Sequence, residues 1–130
     1  MNLLLDTHIA IWAMTDRGRI SPNALDMIRS PEATVFVSAV SVWEIAIKYA
    51  LGNRAGAMPF SGHEAMRHFA DAGFEMLDIT PAHAAAAEDL PPVHADPFDR
   101  LLVAQALTEP MRLVTADKTV ARYSDIVILA

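Results

Sequence analysis

Four acids stand where chemistry could be done. Asp6 ends the apolar run Leu3-Leu4-Leu5, and Glu44 lies in Ser38-Ala-Val-Ser-Val-Trp-Glu-Ile-Ala-Ile-Lys48. Asp99 lies in Asp96-Pro-Phe-Asp-Arg-Leu-Leu, and Asp117 ends Leu113-Val-Thr-Ala-Asp. Such positions, at strand ends and helix starts, converge on one edge of a parallel α/β sheet. Singly, each acid has a structural explanation, because helix N-termini attract carboxylates through free N–H groups and the helix dipole. Ser41-x-x-Glu44 and Asp96-Pro97-x-Asp99 both have the form of a capping box. Jointly that explanation weakens. Two carboxylates about 5 Å apart repel by roughly 3 kcal/mol at an effective dielectric near 20. A divalent cation removes this cost, and an all-oxygen donor set suits Mg²⁺ or Mn²⁺. Such a centre can bind a water, lower its pKa and aim it at phosphorus while shielding the phosphodiester charge. One-metal and two-metal arrangements are both open.

The elements that must position these acids alternate along the chain. Residues 2–5 read as a buried strand, and Thr7 to Met14 as an apolar helix. Ser21-Pro22 opens a helix to about Arg29, with serine as N-cap and proline at the first helical position. Val35 to Val37 is a strand. Ser41 starts a helix to about Leu51, ended by Gly52-Asn53. Residues 53–60 read as a loop with Gly56 and Pro59. Ser61 to Ala72 is a helix ended by Gly73, and Phe74 to Ile79 a strand. Thr80-Pro81 caps a helix from Ala82 to about Leu90, and Asp96-Pro97 starts another that runs to about Thr108. Arg112 to Thr115 is a strand, Asp117 to Tyr123 a short helix, and Ile126 to Leu129 a terminal strand. Short apolar strands alternating with helices imply a mainly parallel sheet covered on both faces.

The 130 residues fit one domain, 1–130, and 53% hydrophobic content suffices for a packed core. No cysteine is present, which excludes disulfides and thiolate metal sites and fits a reducing, cytoplasmic setting. The N-terminus carries no basic leader before its apolar residues, and no apolar stretch approaches the roughly 18 residues that span a membrane. A formal charge of −6, with ten Lys and Arg spread along the chain, argues against loose binding to nucleic acid. It leaves room for a nucleic-acid substrate held through cations. No glycine-rich phosphate loop and no aromatic–basic RNA-binding motif is visible.

With these blocks in order, the chain resembles PIN-domain ribonucleases, specifically VapC-like toxins of type II toxin–antitoxin pairs. The likeness is carried by Leu4-Leu-Asp-Thr-His8, by the Ser38 to Lys48 block followed by Leu51-Gly52, and by Gly73-Phe74. It continues in His94-x-Asp-Pro-Phe-Asp-Arg-Leu-Leu-x-Ala-Gln-Ala106 and Leu113 to Asp117. The resemblance implies a three-layer α/β/α PIN-like fold with about five short strands, and Mg²⁺-dependent (or Mn²⁺-dependent) endoribonuclease activity. Asp6, Glu44, Asp99 and Asp117 then correspond to the family's acidic quartet. Asp6 and Asp99 are the most direct ligands, and Glu44 and Asp117 complete the site directly or through water. Asp96 is a rival for the third acid. Thr7 and Thr115 are candidate hydrogen-bonding supports. The resemblance further implies an RNA substrate, a homodimer, and a small antitoxin that covers the groove with a basic side chain and brings DNA binding.

Other residues have plainer expectations. His63, His68 and His83 read as exposed helix residues, and His8 and His94, beside the acids, as surface or turn residues. The stripes Trp43/Ile47/Leu51 and Val42/Ala46/Tyr49 read as core, or as a dimer or antitoxin surface. Lys48 follows Glu44 by four residues and can pair with it or orient it. Arg54, Arg100 and Lys118 are solvated charges or RNA phosphate contacts. A haloacid-dehalogenase-like phosphatase would need an Asp two residues after Asp6, where this chain has His8. A housekeeping PIN-type nuclease and a non-catalytic PIN-like binding module are the remaining alternatives.

Overall fold

The computed structural model describes residues 1–52 and 58–130. Arg54 and Gly56 lie outside the described residues. The frame is a five-stranded parallel sheet in the order β3-β2-β1-β4-β5. Its strands are β1 (Asn2–Leu5), β2 (Thr34–Ser38), β3 (Glu75–Leu77), β4 (Arg112–Thr115) and β5 (Val127–Leu129). The helices among the described residues are α1 (Thr7–Thr15), α2 (Pro22–Arg29), α3 (Ala39–Ala50), α4 (Gly62–Asp71), α5 (Pro81–Ala86) and α6 (Pro97–Thr108).

The central strand shows why the apolar runs lack polar alternation. Leu3, Leu4 and Leu5 are all fully buried. Leu3 and Leu5 join Ile9 of α1, Ala24 of α2 and Phe69 of α4 on one face. Leu4 points the other way, to Leu102 and Val103 of α6 and Leu113 of β4. Both faces of a parallel strand are covered, so both must be apolar. This is the expected three-layer α/β/α arrangement. Chain order reverses at β1, with β2 on one side and β4 on the other, and ligand crevices form at the strand C-termini of such a switch point.

Several local expectations shift. Helix α3 starts at Ala39, not Ser41, because Ser38 caps it by accepting from the Val40 N–H at 3.0 Å. The Ser41–Glu44 capping box therefore does not exist, and both residues are buried one turn into the helix. The helix from Ala82 to Leu90 is split into α5 and a 3₁₀ turn, Ala87–Asp89. The Arg100 guanidinium takes the carbonyls of Ala87 and Leu90 there, at 3.0 and 3.4 Å. Strand β3 keeps only three of its expected residues, and Phe74 instead donates its N–H to the Phe69 carbonyl across Gly73, whose φ is +81°. The segment after Asp117 is a 3₁₀ turn, Val120–Tyr123, rather than an α-helix.

His83 is buried, not exposed. Its Nδ1 accepts from the Thr80 N–H at 3.0 Å, so its proton sits on Nε2, 2.6 Å from Glu109. Gln105, fully buried on α6, links this histidine to β2: its Oε1 accepts from Ser38 Oγ at 2.5 Å and its Nε2 donates to the Asp78 carbonyl at 3.2 Å. Gln105→Leu would strip the hydroxyl and carbonyl of their partners. It is expected to cost about 2–4 kcal/mol in urea denaturation; a loss within 0.5 kcal/mol, roughly the scale of surface changes, would show the network to be dispensable.

Candidate metal centre

Each of the four acids is delivered by a different element to the C-terminal edge of the sheet. Asp6 leaves β1 and starts α1, with its N–H on the Val114 carbonyl of β4 at 2.9 Å. Its side chain makes no cap to α1. Instead Thr115 Oγ1 donates to Asp6 Oδ2 at 2.6 Å, inside the fold. Glu44 is turned inward from α3, and Lys48 Nζ sits 2.6 Å from its Oε2. The same turn of α3 is tied to α1 by the 2.8 Å contact between Ser41 Oγ and Thr7 Oγ1. The Thr7 hydroxyl thus braces the two helices, while the Thr115 hydroxyl holds the Asp6 carboxylate.

Asp96 and Asp99 take different tasks. Asp96 Oδ1 caps α6, accepting from Phe98 N at 2.8 Å and Asp99 N at 3.3 Å. The reciprocal half of a capping box is missing, because the Asp96 N–H donates to His94 Nδ1 at 2.9 Å. The Asp99 carboxylate is therefore free of the cap. Asp117, at the end of β4, accepts from Thr119 N at 2.8 Å through Oδ1 and presents Oδ2 elsewhere.

Asp6, Glu44, Asp96, Asp99 and Asp117 all line one open cleft of about 480 Å³. The crowding shows in the acidities. Burial raises the Asp6 carboxyl above its ordinary value, and the Glu44 charge adds to the rise against the Thr115 hydrogen bond and His8. Asp99 is pushed up to about 7 by burial first, then by the Asp6, Asp96 and Glu44 charges, with His94 working the other way. Carboxylates that resist ionisation first through burial and then through their neighbours' charges, offered as oxygen donors in an open cleft, fit a hard divalent cation.

His94 is the residue that the sequence pattern undervalues. Its Nε2 lies 3.3 Å from Asp99 Oδ2 and 3.4 Å from Asp117 Oδ2. Because Nδ1 accepts from the Asp96 N–H, the neutral ring carries its proton on Nε2, the nitrogen that faces both acids. The loop that brings it is pinned. Tyr123 Oη accepts from His94 N at 2.9 Å and donates to His94 O at 3.2 Å. Arg100 reaches the Tyr123 hydroxyl and the Pro91 carbonyl at 3.3 and 3.0 Å, so this guanidinium is spent on the fold and not on phosphate. Lys118 is exposed.

The α3 stripes also differ from expectation. Trp43, Ile47, Tyr49 and Leu51 are exposed, while Val40, Ser41, Glu44 and Ile45 are buried. Turning the charged Glu44 into the cleft fixes the helix phase and leaves the aromatic side outward. No helix among the described residues is long and apolar enough to cross a membrane.

Comparison with known proteins agrees with the fold. Residues 3–126 match the family model of the PIN domain. The chain is 33% identical over 119 residues to Ribonuclease VapC22 of Mycobacterium tuberculosis, covering 89% of this chain and 87% of that protein. Its fold superposes on VapBC2 from Rickettsia felis bound to a promoter DNA fragment, with a TM-score of 0.69 at 16% identity, covering 100% of this chain and 98% of that one. A toxin–antitoxin complex from Klebsiella pneumoniae gives a TM-score of 0.63 at 18% identity, covering 97% and 95%.

Proposed function

The chain belongs to the PIN-domain family, and from that premise we propose that it is a metal-dependent endoribonuclease, the toxin of a VapBC-type pair. The observation that carries this reading is the convergence of Asp6, Glu44, Asp99 and Asp117 on one cleft at the switch point of the sheet. Asp6 and Asp99, the two acids whose acidity is depressed, would hold Mg²⁺ or Mn²⁺ directly. Glu44 and Asp117 would complete the set directly or through water. When bound, the ion supplies an activated water and charge shielding for the phosphodiester.

The protein's own residues do the rest. Thr115 fixes the Asp6 carboxylate, Lys48 fixes Glu44, and His94 Nε2 sits between Asp99 and Asp117. Asp96 is occupied with capping α6 and stands outside the ligand set on this reading. The acidic, open cleft suits an antitoxin that inserts a basic side chain, since complementary charge favours that encounter. The outward Trp43, Ile47 and Leu51 suit an apolar contact with that antitoxin or a second copy.

The purified chain is expected to cut structured RNA with Mg²⁺ or Mn²⁺ and to stop on addition of EDTA. Asp6→Asn should remove most of this activity and relieve growth arrest on expression. Robust cleavage in EDTA, or a fully active and toxic Asp6→Asn, would overturn the reading. A small neighbouring reading frame encoding a DNA-binding protein that co-purifies with the chain separates the toxin from a housekeeping nuclease.

A further inference from the structure

Helix α1 carries chemistry away from the acids. Thr7, its first residue, follows Asp6, and His8 and Trp12 come next on one stripe, four residues apart. Their rings lie 6.0 Å apart at 52°. The chain then turns through the 3₁₀ segment Arg17–Arg19 and lays the Arg19 guanidinium 4.3 Å from the centroid of the Trp12 ring. No sequence motif announces this pair, because the partners are seven residues apart across a helix end.

Two further observations point to a ligand. His8, Trp12 and Arg19 line the acidic cleft and also the adjoining cleft floored by Met58 and Pro59, so they form the sill between the two. The sill is cationic and aromatic, whereas the inner cleft is anionic. Trp12 is also only half-buried, while its neighbours Ile11 and Ala13 are buried, so indole surface is left outside the core. By helix rise, Trp12 stands about 9 Å along α1 from Asp6.

We propose that Trp12, with Arg19 over it and His8 beside it, is a stacking platform for one unpaired nucleobase next to the scissile phosphate. Indole and guanidinium planes both stack on bases, and such stacking tolerates any base because every base has a π-face. The Arg19 charge meanwhile lies where it attracts the phosphate that the acids alone would repel. This platform makes the enzyme a cutter of single-stranded or looped RNA, since a base held in a duplex cannot reach the indole. The inference rests on the ribonuclease reading, and its test separates the two.

The chain has two tryptophans, so Trp43→Phe leaves Trp12 as the single indole reporter. In a Trp43→Phe/Asp99→Asn protein with Mg²⁺, a mixed-sequence oligoribonucleotide is expected to quench Trp12 fluorescence saturably. An abasic oligomer of equal length should not. In the otherwise wild-type enzyme, Trp12→Ala should lower kcat/KM on a looped RNA by about tenfold or more, and Trp12→Phe by much less. On the same RNA made abasic beside the mapped cut, Trp12→Ala should cost nothing further. Equal quenching by intact and abasic oligomers, or an equal Trp12→Ala loss on both RNAs, overturns the platform. Base-dependent quenching without any cleavage by the wild-type protein upholds the platform and sinks the nuclease reading instead.

Discussion

Asp99→Asn is expected to lower RNA cleavage by roughly 10²–10³-fold or more while making the metal-free protein harder to unfold. The two effects have one cause. Asp99 is held at about 7 by burial and by the charges of Asp6, Asp96 and Glu44. Above that pH the fold contains a carboxylate that it disfavours. Asparagine has the same shape and no charge, so it relieves the repulsion, and it loses the charge that a cation needs. Function stored as strain in this way trades against stability. The gain should be full at pH 8, shrink by pH 5 and vanish only below the unfolded value near 3.8, where the carboxyl is protonated in both states. Thermal melts in EDTA at both pH values, beside cleavage assays in Mg²⁺, check it. A variant that is fully active, or less stable than wild type at pH 8, would remove Asp99 from the site.

The split between what the sequence shows and what it hides follows from the kind of information each feature needs. Strand β4, helix α2 and helix α6 are legible to the residue because their ends are written in local chemistry: Ser21-Pro22, Asp96-Pro97, and an apolar run stopped by a turn. The parallel sheet is legible because both faces of Leu3-Leu4-Leu5 must be apolar. The acids are legible because strand ends share an edge. What stays hidden depends on tertiary partners. Whether Ser38 or Ser41 caps α3 depends on Ser41 meeting Thr7, 34 positions away in the chain. His94 looks like a turn residue until Tyr123, 29 residues on, pins both its backbone groups and aims it at the acids. His83 looks like a surface residue of an alanine-rich helix until Gln105 and Glu109 surround it. Arg100 looks like a phosphate contact until the loop folds back and its guanidinium is consumed by carbonyls. One signal was readable: a histidine two residues before a Pro-capped acidic helix start has the backbone N–H of Asp96 within reach, which fixes its proton on the far nitrogen.

The second large effect concerns the cation itself, and its sign follows from the raised acidities. A carboxyl with a folded-state pKa above its unfolded value near 3.8 favours the fold at low pH, and that advantage is lost as pH rises through about 7. Asp6, raised in the same direction, adds to it. The metal-free protein should therefore lose melting temperature from pH 5 to pH 8. Cation binding needs the ionised carboxylates, so its affinity rises over the same interval. At a free Mn²⁺ concentration one hundred times the dissociation constant, binding adds about 2.7 kcal/mol. For a chain of this length that amounts to a rise of about 10 °C at pH 8. At pH 5 the rise should be small, because protons hold the ligands. Melting curves with Mn²⁺ and with EDTA at both pH values measure all four states. The trend with pH should thus flatten or reverse when the metal is present. A shift equal at pH 5 and pH 8 would mean that the cation binds elsewhere, and no shift at pH 8 would mean that the acids at the sheet edge hold no metal. Either result would return the acids to the structural roles that Asp96 alone shows in full.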